Sequence, residues 1–200
     1  MFKDRTTPNR DEYLEKKILV LKQQGKHREG LEFLKKYLKT HKTTDRVKLH
    51  LAFFYYHRHY LEKAAKIYME VLRNNKDCIS ALQFLARVYG LMKRNEAIAL
   101  ATTVYALSPN FVMANNLAGI YEMLGQNELA ERWYKKCLRL GQSKEEKFVI
   151  KSNLAFLYKK TGASDQAIKY AKEILGNKSF RGKKEYRFLI ATLIKSFSGK

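Results

Sequence analysis

Apolar residues recur along this chain at helical spacing, and one small pattern returns four times. A leucine, an alanine and, three positions on, a tyrosine appear as Leu51-Ala52…Tyr55, Leu85-Ala86…Tyr89, Leu117-Ala118…Tyr121 and Leu154-Ala155…Tyr158, with the leucines 34, 32 and 37 residues apart. Downstream of each comes a second signal, an alanine followed four positions later by an aromatic or another small residue: Ala64/Tyr68, Ala97/Ala101, Ala130/Tyr134 and Ala167/Ala171. Residues three and four apart share one face of a helix, so each period predicts two helices. The small residues stand where those helices approach closely. Gly125 and Gly162 fall between the two halves, where a tight turn needs a residue without a side chain. One helix pair cannot bury its apolar face alone, so this periodicity predicts a stacked array.

The clearest copy runs from Asn116-Leu117-Ala118-Gly119-Ile120-Tyr121 through Gly125 to Ala130, Tyr134 and Leu138. It resembles the tetratricopeptide repeat, a helix-turn-helix unit of about 34 residues. An earlier copy aligns Ile18, Leu21, Gly25, Gly30, Leu34 and Leu38, with glycine where the family prefers alanine. The resemblance implies an all-α, right-handed α-solenoid of about five helix-turn-helix repeats. Their approximate bounds are 11–44, 45–78, 79–110, 111–147 and 148–181, after a polar, basic segment at 1–10. The segment 182–200 carries Phe188, Leu189, Thr192, Leu193 and Phe197 at helical spacing and resembles the single capping helix that closes such arrays. Two helix starts are legible. Ser108 precedes Pro109 as an N-cap before a first-turn proline. Ser143-Lys144-Glu145-Glu146 reads as a capping box in a lengthened spacer, expected to extend the next helix by about a turn.

In this family the first helix of each repeat lines a concave groove. The resemblance places Phe53, Tyr56 and His57, then Arg87, Asn116, Asn153 and Phe156 at groove positions, as the first candidates for contact with a partner peptide or helix. Phe53 and Tyr56 are expected as an exposed aromatic pair beside Arg87, suited to an apolar or aromatic anchor. Asn116 and Asn153 share one repeat position, where an amide that both donates and accepts can hold an extended backbone. The plainer alternative is that asparagine is common there. The clamp for acidic chaperone tails is not reproduced: Glu15, Leu19, Gln83, Arg87, Val149 and Asn153 replace its residues, and only Asn116 fits.

Composition narrows the function classes. The 200 residues include 40 Lys+Arg against 19 Asp+Glu, a net charge of +21. The excess sits at the two ends, most densely at Lys178, Arg181, Lys183, Lys184 and Arg187, while the middle is close to neutral. Such a field steers acidic partners and attracts polyanions. The readings are therefore an interaction scaffold whose partner is another protein, or, as the alternative, an RNA- or DNA-associated protein using the basic ends. No phosphate-cradling loop, metal-ligand motif or nucleophile elbow occurs, so the chain reads as non-enzymatic, with no cofactor and no metal. His50 and His57 share a helix face, but no neighbouring acid or cysteine in sequence completes a ligand set. Cys78 and Cys137 cannot form a disulfide framework, which suits a cytoplasmic protein. The uncharged run Ala97–Tyr121 is broken at Ser108-Pro109-Asn110 and reads as two buried helices rather than a membrane span.

Overall fold

The computed structural model describes residues 10–176 and Ala191. The expected capping helix over 182–200 and the basic cluster Lys178, Arg181, Lys183, Lys184 and Arg187 lie outside the described residues. Among those described, the fold is all-helical. The helices are α1 (Arg10–Gln23), α2 (His27–Tyr37), α3 (Asp45–His57), α4 (Leu61–Asn74), α5 (Ile79–Leu91), α6 (Glu96–Leu107), α7 (Phe111–Met123), α8 (Asn127–Leu140), α9 (Lys144–Thr161) and α10 (Ser164–Gly176). The chain divides into two compact units, Met1–Met92 and Lys93–Lys200. Within each unit, every helix packs on its neighbour in sequence, and α3 also touches α5.

The small residues read from the periodicity are the points of closest packing. Ala52, Ala64, Ala118, Ala130, Ala155 and Ala167 are completely buried. Tyr68 and Tyr134 fill the space beside them, at 0 % and 3 % exposure. In the first copy, Gly30 takes the alanine position because an alanine does not fit. A methyl group there would come within 2.3 Å of the Phe54 ring, and Phe54 is itself fully buried. The large aromatic of α3 thus occupies the volume that an alanine on α2 would need.

The turn inside each pair is also periodic. After α1, α3, α7 and α9 the chain enters the left-handed region at Gly25, His59, Gly125 and Gly162. The following N–H donates back across the turn at 2.9 Å: Lys26 to Leu21, Tyr60 to Tyr55, Gln126 to Tyr121 and Ala163 to Tyr158. This is the Schellman closure, in which a left-handed residue lets the chain satisfy carbonyls at the helix end. Lys93, after α5, is left-handed too. The sequence marks the turn only where glycine stands; His59 and Lys93 occupy it with side chains.

Several longer connections start the next helix with a side-chain cap. Thr44 accepts from the Val47 N–H at 3.3 Å, and Asn110 from the Met113 N–H at 3.0 Å. The expected N-cap Ser108 is instead the C-cap of α6, and α7 begins at Phe111 rather than at Pro109. A residue before proline is driven to extended backbone, which ends α6, and asparagine after the proline is an equally good acceptor. The capping box forms: Ser143 accepts from the Glu146 N–H at 3.0 Å, and Glu146 accepts from the Ser143 N–H at 3.1 Å. It starts α9 at Lys144 and gives that helix 18 residues.

Candidate functional site

In the first unit, α1, α3 and α5 bring a group of rings and cations together. The Phe53 ring lies 4.2 Å from His57 and meets Phe84 edge-on at 5.7 Å. Tyr56 packs edge-on against His57 at 4.9 Å, and His57 stacks on His27 at 4.3 Å. Lys22 Nζ stands 4.3 Å over Phe53, and the Arg87 guanidinium 5.7 Å from the Tyr56 ring. Beneath them Phe84 stacks on Tyr68 at 5.8 Å. Phe53, Tyr56, His57 and Arg87 therefore meet. Phe53 and Tyr56 are half-buried rather than exposed, because each ring spends an edge or face on a neighbour.

The electrostatics follow from that packing. Burial, then the charges of His27, Arg87 and Lys22, push the His57 imidazole down to about 4, so it is neutral at pH 7. Beside it runs a relay absent from the sequence reading. Arg46 pairs with Glu15 at 2.7 Å, Glu15 with His50 Nε2 at 3.1 Å, and His50 Nδ1 with Lys22 Nζ at 2.9 Å. An ammonium can only donate, so Nδ1 accepts and the ring proton sits on Nε2, donating to Glu15. Burial lowers the pKa of Lys22 and of His50, with the Lys22 charge adding to the second. Among the described residues neither Lys22 nor Arg87 has a carboxylate within ion-pairing distance. Two buried polar atoms here also lack a hydrogen-bond partner, the Tyr68 hydroxyl and His27 Nδ1.

The second unit holds the remaining candidates. Asn153 Nδ2 donates to Asn115 Oδ1 at 3.1 Å, tying α9 to α7, while Asn116 Nδ2 is buried without a partner. Glu122, about two turns beyond Asn115 along α7, accepts from the Tyr134 hydroxyl at 2.8 Å. Phe156 packs against the cluster of Phe148, Ala155 and Ile174, so much of its ring serves the core. Cys137 is fully buried, and burial pushes its thiol up to about 12. Lys22, His27 and Tyr68 were not among the sequence candidates. The signal for Lys22 was available: it lies seven residues after Glu15, the same face-sharing interval that separates His50 from His57.

A profile of the tetratricopeptide repeat matches residues 112–143, the α7–α8 hairpin with the turn that follows it. The fold is a tetratricopeptide-repeat fold. A thermophilic TPR protein of Thermus thermophilus superimposes with a TM-score of 0.73 at 17 % identity, covering 92 % of this chain and 98 % of that one. MamA of Desulfovibrio magneticus RS-1 gives 0.67 at 15 % identity, over 88 % and 99 % of the two chains. MamA MSR-1 gives 0.59 at 19 % identity, over 81 % and 92 %. At such identities the likeness is one of fold. No curated protein matches the chain in sequence. No group of three or more His, Cys, Asp or Glu among the described residues could hold a metal ion. No described helix is long and apolar enough to cross a membrane, and the Ala97–Tyr121 run is divided between α6 and α7.

Proposed function

We propose that this chain is a non-enzymatic interaction scaffold that binds a peptide or helix of a partner protein on the faces of its first-of-pair helices. In the first unit the contact residues are Phe53, Tyr56, His57 and Arg87, and in the second Asn116, Asn153 and Phe156. The observation that carries this reading is the half-buried group of rings and cations that α1, α3 and α5 bring together in the first unit: Phe53, Tyr56 and His57 pack on one another, with Lys22 over Phe53 and Arg87 beside Tyr56, and all five still reach solvent. The general protein-binding role of TPR folds agrees with this reading, although fold alone names no partner.

Affinity capture from a lysate at about 150 mM salt, with and without nuclease, tests it. The expected result is recovery of the same one or two proteins in both samples, lost with Phe53→Ala or with Asn116→Ala and Asn153→Ala together. Recovery that disappears with nuclease would transfer the function to the basic ends and to nucleic acid. The cytoplasmic placement is tested in the same cells by fractionation.

A further inference from the structure

We propose that α6 and α8 of the second unit form a docking face for an anionic lipid surface, with the Tyr105 and Trp133 rings at headgroup depth and Lys136 and Arg139 meeting the lipid charge. This face lies on second-of-pair helices and is independent of the partner-binding reading of the first-of-pair helices.

Two stripes assemble the face. Ile98, Thr102 and Tyr105 share one side of α6, and Leu129, Trp133, Lys136 and Leu140 keep the same helical spacing on α8. The stripes meet where Tyr105 packs edge-on against Trp133 at 4.9 Å. Lys136 Nζ stands over both rings, 4.7 Å from Tyr105 and 4.4 Å from Trp133. Thr102, Leu129 and Leu140 are exposed, while the two rings and Lys136 are half-buried. From Ala97 to Leu107 no residue is charged, in a chain where 30 % of residues are. The solvent side of α6 is therefore made of Ala99, Thr102, Thr103, Ala106 and Leu107. The Thr103 hydroxyl already donates to the Ala99 carbonyl at 3.0 Å, so this side of the helix has little to offer water.

The charge beside these stripes has one sign. Arg132 and Arg139 run along the exposed edge of α8. Among the described residues, neither Lys136 nor Arg139 has a carboxylate within ion-pairing distance. The acids of the helix are engaged elsewhere. Glu131 pairs with Lys135 at 2.6 Å and accepts from the Tyr158 hydroxyl at 2.8 Å, and Glu128 and Glu131 both line the cavity that α8 makes with α9 and α10. Rings with an apolar body and a polar edge, a lysine stem lying along them and cations at the border suit the boundary between headgroups and acyl chains. Anionic lipid attracts each Lys or Arg held near its surface. A polynucleotide accounts for less of the face. Bases stack on rings that stand free, whereas Lys136 covers Trp133, and phosphates gain nothing from Leu129, Leu140 and an uncharged α6.

Trp133 is the chain's single tryptophan, so its emission reads this face alone. The test mixes the full chain, at about 150 mM salt, with vesicles of brominated phosphatidylcholine, with or without phosphatidylserine. The expected result is a blue shift and quenching of Trp133 on the phosphatidylserine vesicles, and neither on phosphatidylcholine alone. Lys136→Gln with Arg139→Gln should weaken that binding at least about tenfold. Lys36→Gln with Lys39→Gln, which removes equal charge from exposed positions, should leave it within about twofold. Thr102→Glu alters an exposed position, so it spares the packing, and it should weaken binding by setting a carboxylate against the lipid. Sedimentation with vesicles while Trp133 emission stays unchanged would overturn the proposal and move lipid contact to other basic segments. Equal weakening by both charge pairs would overturn it too, because bulk charge would then be the cause. So would a chain that binds neither kind of vesicle.

Discussion

Tyr68 in the first unit and Tyr134 in the second occupy the same repeat position, four residues after Ala64 and Ala130. Both rings are buried to within 3 %. Their hydroxyls have opposite fates. Tyr134 donates to Glu122 at 2.8 Å, whereas Tyr68 has no partner. The contrast extends to the neighbouring helix faces: α7 and α9 tie Asn115 to Asn153, while Lys22 on α1 and Arg87 on α5 have no carboxylate within ion-pairing distance among the described residues. Repetition therefore dictates where rings and small residues pack. It does not dictate whether the polar atoms behind them are matched from within.

The sharpest way to break the comparison is at the glycines. Gly30→Ala drives a methyl group into Phe54 and should cost about 1–3 kcal/mol, as overpacking does. Gly119→Ala in the second unit meets nothing closer than the Tyr134 hydroxyl at 3.9 Å, and should stabilise by up to about 1 kcal/mol through helix propensity. Urea unfolding of both variants measures the difference, and Phe54→Leu in the Gly30→Ala background should recover part of the loss. Removing the two hydroxyls comes next. Tyr134→Phe should cost about 1 kcal/mol and strand Glu122, while Tyr68→Phe should be neutral or stabilising. Equal losses at both positions would dissolve the comparison.

The third effect depends on pH. His57 is held down to about 4, below its ordinary range, so the unfolded chain takes up the proton first as pH falls. Stability from this residue is present above pH 6.5 and is lost between about 6.5 and 4, on the order of 1 kcal/mol once solvent screening of a half-exposed ring is allowed for. Unfolding series at pH 7 and pH 5 should show that slope, and His57→Gln should flatten it. The smallest effect lies in the turns. His59→Gly should stabilise by about 0.5 kcal/mol by removing a side chain from a left-handed position. Gly125→Ala and Gly162→Ala, at the matching turns of the second unit, should each destabilise, as thermal melts would show.

The elements themselves were legible because Leu-Ala…Tyr and the paired alanines report packing, and packing is what repeats. Ser143 and Glu146 announced their helix start for the same reason: capping is local. Ser108 misled, since Asn110 two residues later is as good an acceptor and proline ended the earlier helix. The site was legible only as a set of positions. Phe53, Tyr56, His57 and Arg87 could be placed on one face by register. Their mutual ring contacts, and the relay from Arg46 through Glu15 and His50 to Lys22, join residues up to 35 apart in sequence and carry no local mark.

Gly30 and Phe54 have a consequence for how such a chain can diverge. The two residues sit in different repeats, yet neither can be exchanged without regard to the other, because one ring fills the volume the missing methyl group vacates. Duplication and shuffling treat repeats as interchangeable cassettes. Here the first two are mated, and a descendant that restores alanine on α2 must shrink the aromatic on α3 in the same lineage. Paired substitution at these two positions would be a historical signature of this array, readable from its relatives without any structure at all.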